Sequence, residues 1–199
     1  MRLALTALLI SILTACGPNL APSAAVSPSD TPVSTIVSGP RISEPPVSPP
    51  TPPGTPLPAF ACADAAGGTT GVANTIAARV AEQPGYDRFV LQMDSIVPAY
   101  TVKRQATATF TQGASGQTVQ LSGSAGVLIT VHSATGASTF SGPPYFVQAD
   151  YQVLKEARQI QDFEGTVSWG LGLSRPVCMR VFTLSDPARL IVDLQTTSS

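Results

Sequence analysis

Hydrophobic and polar side chains alternate with period two along several stretches of the chain from residue 86 onward. In residues 86–94, Phe89, Leu91 and Met93 share one face, and Arg88, Val90 and Gln92 share the other. In residues 166–173, Val167, Trp169, Leu171 and Leu173 oppose Thr166, Ser168, Gly170 and Gly172. In residues 127–132, Val127, Ile129 and Val131 are set against Leu128, Thr130 and His132, and Val119 and Leu121 bracket a shorter stretch. Successive side chains of an extended chain project to opposite faces, so each stretch predicts a half-buried strand. Residues 179–184 and 189–194 flank Ser185-Asp186-Pro187-Ala188, whose Asp-Pro chemistry makes a turn and predicts a terminal hairpin.

Pro84-Gly85, Gly113 to Gly116, Gly123 to Gly126 and Gly142-Pro143-Pro144 punctuate these runs as further turns. Many short strands between such turns predict an all-β fold, a β-sandwich of short antiparallel strands. Residues 153–161 depart from the pattern. Val153, Ala157 and Ile160 fall on one helical face, and Leu154-Lys155-Glu156-Ala157-Arg158 are all good helix formers.

Ahead of this region the composition changes abruptly. Residues 17–58 hold 13 of the 19 prolines, and within them only Asp30, Arg41 and Glu44 are charged. Such a segment buries too little apolar surface to offset its ordering entropy, and it is expected to be a disordered tether. Before it, Met1 and Arg2 lead into an apolar run to Leu13, closed by Leu13-Thr14-Ala15-Cys16-Gly17. That is the layout of a secretory signal peptide, too short to span a bilayer. Leu13 to Cys16 resembles the lipobox of bacterial lipoproteins, which implies cleavage before Cys16 and a diacylglyceryl and palmitate-type anchor on its thiol. The expected organisation is therefore a leader in residues 1–15, a lipidated Cys16 with a proline-rich linker in 16–58, and one domain in 59–199. Two or more acyl chains hold a protein stably at a membrane, so the domain is expected to be extracytoplasmic and lipid-anchored in the cell envelope.

Residues 59–199 carry nine Lys or Arg and ten Asp or Glu, scattered singly, which argues against a nucleic-acid partner. With Cys16 acylated, Cys62 and Cys178 remain. An oxidising compartment allows them to pair, stapling the start of the domain to a late strand; two free buried thiols are the alternative.

Three stretches together resemble the AMIN-like domain of exported bacterial proteins, itself similar to the AMIN domain of envelope amidases and secretin components. They are Gly85-Tyr86-Asp87-Arg88-Phe89-Val90-Leu91, Asp162-Phe163-Glu164-Gly165 leading into Trp169-Gly170-Leu171-Gly172-Leu173, and Arg180-Val181-Phe182-Thr183-Leu184-Ser185-Asp186-Pro187-Ala188-Arg189-Leu190-Ile191-Val192-Asp193-Leu194. The resemblance implies a β-sandwich, a strand at residues 153–161 despite their propensity, and a non-catalytic module that binds envelope material, peptidoglycan first.

The chemistry-bearing residues point the same way. His132 is the only histidine, which excludes a multi-histidine metal site, and no Gly-x-Ser-x-Gly accompanies it. Asp162 and Glu164 share a strand face as two glycosidase acids would, but they adjoin the Gly165 bend and read as a polar strand end. No catalytic residue, metal or cofactor is expected. For binding, Arg88 and Arg189 lie opposite their strands' apolar faces and, if those strands are neighbours, offer guanidinium donors to muropeptide carboxylates. Salt bridges to Asp87 or Asp193 are the alternative. Tyr100 is a candidate for stacking on sugar rings, whereas Trp169 shares its face with Val167 and Leu171 and is expected in the core. A second reading is an assembly protein docking another envelope protein through a sheet edge or the Thr107, Thr109 and Thr111 face.

Overall fold

The computed structural model describes residues 56–113 and 115–197. The leader, Cys16 and the linker up to residue 55 lie outside them. The described residues form β1 (Ala65–Gly67), β2 (Ala73–Gln83), β3 (Tyr86–Met93), β4 (Tyr100–Gln105), β5 (Thr109–Thr111), β6 (Thr118–Gln120) and β7 (Ala125–His132). They continue with β8 (Ala134–Thr135), β9 (Tyr145–Val147), β10 (Leu154–Phe163), β11 (Thr166–Leu173), β12 (Met179–Ser185) and β13 (Ala188–Gln195). The domain is all-β. Six strands run in the order β1-β4-β7-β11-β10-β9, five in the order β12-β13-β3-β2-β8, and β5 with β6 makes a small separate hairpin. All pairings are antiparallel except the two-residue contact of β2 with β8.

The alternation read along the chain sorts side chains as expected. Phe89, Leu91 and Met93 of β3 and Leu190, Val192 and Leu194 of β13 join Val127, Ile129 and Val131 of β7 and Val167, Leu171 and Leu173 of β11 in one buried core shared by both sheets. Trp169 lies at its centre, fully buried, with ring centroids of Phe89, Phe140 and Phe146 at 5.3, 5.8 and 6.2 Å. A polar clamp also crosses the core. Asp87, buried on the inner side of β3, accepts the N–H groups of Val153 and Leu154 through Oδ2, each at 2.8 Å, and so fixes the start of β10.

Turn chemistry sets the hairpins. Pro84-Gly85 joins β2 to β3 with Gly85 at φ +87°, which glycine adopts without strain after a proline. Glu164 and Gly165, both at positive φ, make the two-residue β10–β11 connection whose twist matches the strands it joins. Residues 154–163 are thus strand against their helix propensity. Pairing with β9 and β11 on both sides satisfies their backbone groups, and tertiary context overrides the weak local preference.

Cys62 and Cys178 form a disulfide spanning 116 residues of sequence. Beside it, Ala61 and Met179 exchange both backbone hydrogen bonds at 2.9 Å, so the incoming chain is held to the edge strand β12 before it crosses to β1 in the other sheet.

Candidate functional site: the outer face of the five-stranded sheet

Two sheets sharing one core leave two outer faces, and in this domain they differ. Over the six-stranded sheet lies the β5–β6 hairpin. Phe110, Ala108 and Leu121 bury themselves there with Ile160 in a second, smaller core. Glycines admit it: a methyl group at Gly172 would come 2.2 Å from the Ser122 carbonyl oxygen, and one at Gly126 2.8 Å from Phe110 Cζ. Glu156 ties the hairpin's end down by accepting both the N–H and the hydroxyl of Ser122, at 2.9 and 3.1 Å.

No strand or hairpin among the described residues lies over the five-stranded sheet in this way. The register across β12, β13, β3 and β2 places its outward side chains in rows. One row runs Arg180, Asp193, Arg88, Ala81; the next Phe182, Ile191, Val90, Arg79; the next Leu184, Arg189, Gln92, Ala77. Four arginines and a single acid therefore stand on this face of a chain whose net charge is −1.

Asp193 is the hub. Its fully buried carboxylate accepts from Arg88 Nε at 2.6 Å and Nη2 at 2.9 Å, and from Arg180 Nε at 2.9 Å and Nη2 at 2.6 Å. The Arg88 guanidinium is held above its ordinary pKa chiefly by that hydrogen bond, against the lowering effect of its partial burial. Aromatic faces hold the two cations from the sides. Arg180 sits 4.6 Å from the Phe60 centroid and 4.9 Å from that of Tyr86, and Arg88 5.1 Å from Tyr86 and 5.6 Å from Phe182. Phe60 arrives on the segment that Ala61 and the disulfide pin to β12, so the staple also positions a ring of the site. Farther out, Arg79 is exposed and donates from Nη1 to Gln92 Oε1 at 2.7 Å, while Arg189 donates from Nε to the Pro187 carbonyl at 3.2 Å.

The residues expected from sequence divide. Arg88 and Arg189 do lie on paired strands and one face, but Arg88 is opposite Asp193 and Arg189 opposite Gln92. Four residues of register separate them, about 14 Å along the strand. The Asp193 salt bridge, and not one to Asp87, is Arg88's protein partner. Tyr100 does not line a ligand face: it is 8% exposed, on the inner side of β4 beneath Gly67, and burial pushes its phenol pKa up. Asp162 is structural, accepting from Thr135 Oγ1 at 3.0 Å and Gly136 N–H at 2.8 Å, and Glu164 is in the turn. His132 is exposed at the end of β7. Arg180 escaped sequence reading; its signal is its place two residues into a terminal strand directly across from Asp193, visible only once the hairpin register is laid out.

Among the described residues no group of three or more His, Cys, Asp and Glu is placed to hold a metal ion, and no helix is long and apolar enough to cross a membrane. A search of curated proteins finds no match to the chain. A family model described as the AMIN-like domain matches residues 73–196, which takes in both sheets from β2 to the end of β13 and all four arginines.

Proposed function

Because the chain belongs to the AMIN-like domain family, we propose that it is an extracytoplasmic lipoprotein whose non-catalytic domain holds cell-envelope material, peptidoglycan foremost, on the arginine-lined face of the five-stranded sheet. In this reading residues 1–15 are a cleaved leader, Cys16 carries the lipid anchor, residues 16–58 are a disordered tether, and the two sheets of residues 59–199 are a β-sandwich presented to the wall. A tether of that length reaches on the order of 100 Å if it adopts polyproline II. The observation that carries the binding site is the contrast in cover: one outer face is partly covered by a packed hairpin, and the other carries Arg79, Arg88, Arg180 and Arg189 against one buried acid.

The test is sedimentation of the full chain with purified sacculi at low and moderate salt. Co-sedimentation that weakens as salt rises is expected, since exposed cations are screened. Protein that stays in the supernatant at both salts contradicts the peptidoglycan reading. A protein partner is the second reading, favoured by one observation: at the β9 edge of the six-stranded sheet Tyr145 and Val147 remain 54% and 59% exposed. In-cell crosslinking at Val147 that recovers no protein counts against it.

A further inference from the structure

Resting on the proposed envelope-binding face, we infer that what this face reads is carboxylate on a short extended peptide, rather than sugar or phosphate. Three observations lead there. First, charge is unbalanced where solvation is incomplete. Two guanidiniums share the Asp193 carboxylate, each using two of its five N–H donors on it. Beyond Asp193, Arg88 interacts with Tyr86, and no second acceptor for Arg180 is found among the described residues. Second, the cations flank an apolar strip. Phe182, Ile191 and Val90 form the row between Arg180 and Arg88 on one side and Arg189 on the other, with Arg79 at the strip's end. A ligand spanning it needs anionic groups on either side of small apolar ones, which is the makeup of an acidic peptide. Third, the half-buried rings of this sheet face, Phe60, Tyr86 and Phe182, have the Arg88 and Arg180 guanidiniums over them, so none of the three offers the free flat face that a pyranose stacks on.

Planar, forked donors match carboxylate geometry, and Arg-to-Lys replacement keeps charge while removing the fork. Arg88, Arg189 and Arg79 are the proposed contacts, and Arg180 with Asp193 positions Arg88. The probe is acetyl-Glu-Ala-Ala-Ala with both carboxylates free, which sets an anionic group at each end of a small apolar stretch, alongside the same peptide fully amidated and inorganic phosphate, each titrated into the full chain while the arginine Nε–Hε resonances are followed. The free-acid peptide is expected to move the Arg88 and Arg189 signals, with affinity about tenfold lower in an Arg79→Lys, Arg189→Lys chain, whose two sites are outside the buried pair. Equal shifts from the amidated peptide, equal binding of phosphate, or no shift at all overturns the inference. Sacculus sedimentation without a response to the free-acid peptide removes the carboxylate inference and leaves the envelope reading standing. The reverse outcome removes the wall and keeps the chemistry.

Discussion

The two outer faces of this domain are built from strands of the same kind and end in opposite states. On the six-stranded sheet the outward positions of β7 and β11 include Gly126, Gly170 and Gly172, and the vacated space is filled by Phe110 and the Ser122 backbone. On the five-stranded sheet the equivalent positions of β3, β12 and β13 are Arg88, Arg180, Asp193 and Arg189. Small residues let one face be buried; long forked cations keep the other from being covered by apolar chain. The difference puts a packed hairpin on one side and a charged face on the other, though both follow the same period of two.

Each side of that comparison is open to a single substitution. The largest effect is expected at the hub of the open face. Asp193→Ala leaves two largely buried guanidiniums without their carboxylate and should lower unfolding free energy by about 3–5 kcal/mol, measured by denaturant titration. Asp193→Asn retains the shape and separates lost charge from lost packing. On the covered face, Gly172→Ala forces a methyl group against a backbone carbonyl and should cost about 1–3 kcal/mol while leaving ligand binding on the opposite sheet unchanged. Increased hydrogen exchange confined to β5 and β6 would mark the lifted hairpin. A loss of sacculus binding in a folded Gly172→Ala chain would mean the faces are not independent.

The smallest effect belongs to neither face. Asp94 accepts the Asn74 backbone N–H at 3.0 Å and its side-chain amide at 2.8 Å, and the backbone bond is the main reason its pKa is lowered. A carboxylate with a depressed folded pKa contributes stability that is complete above its unfolded pKa and lost as pH falls through the folded one. Asp94→Asn should therefore flatten acid destabilisation only from about pH 4 downward. For so exposed a group the change stays below about 1 kcal/mol after solvent screening.

Alternation made β3, β7, β11 and the terminal hairpin legible in the sequence, because each buries one face and wets or packs the other. It did not reveal β2. Ala73–Gln83 is alanine-rich with no clear period, and it is a strand because β3 pairs along it. The glycines of β11 leave room on the outer face, but the sequence does not say what fills it, since Phe110 lies some sixty residues earlier in the chain. The site was half legible for a related reason. Arg88 stands out on its own strand, whereas Arg180 gains meaning only from the cross-strand register that sets it beside Asp193, a non-local property that no single segment carries. Tyr100 shows the converse: its type fits a sugar platform, and its strand's orientation puts it inside.

The central claim, that the open arginine face is the contact surface, is tested most directly by charge reversal on each side. Full-length protein carrying Arg79→Glu and Arg189→Glu should lose sedimentation with sacculi, while Lys103→Glu, exposed on the outer side of the six-stranded sheet, should sediment as the unaltered chain does. Equal loss in both, or retention in the double arginine variant, would contradict the account.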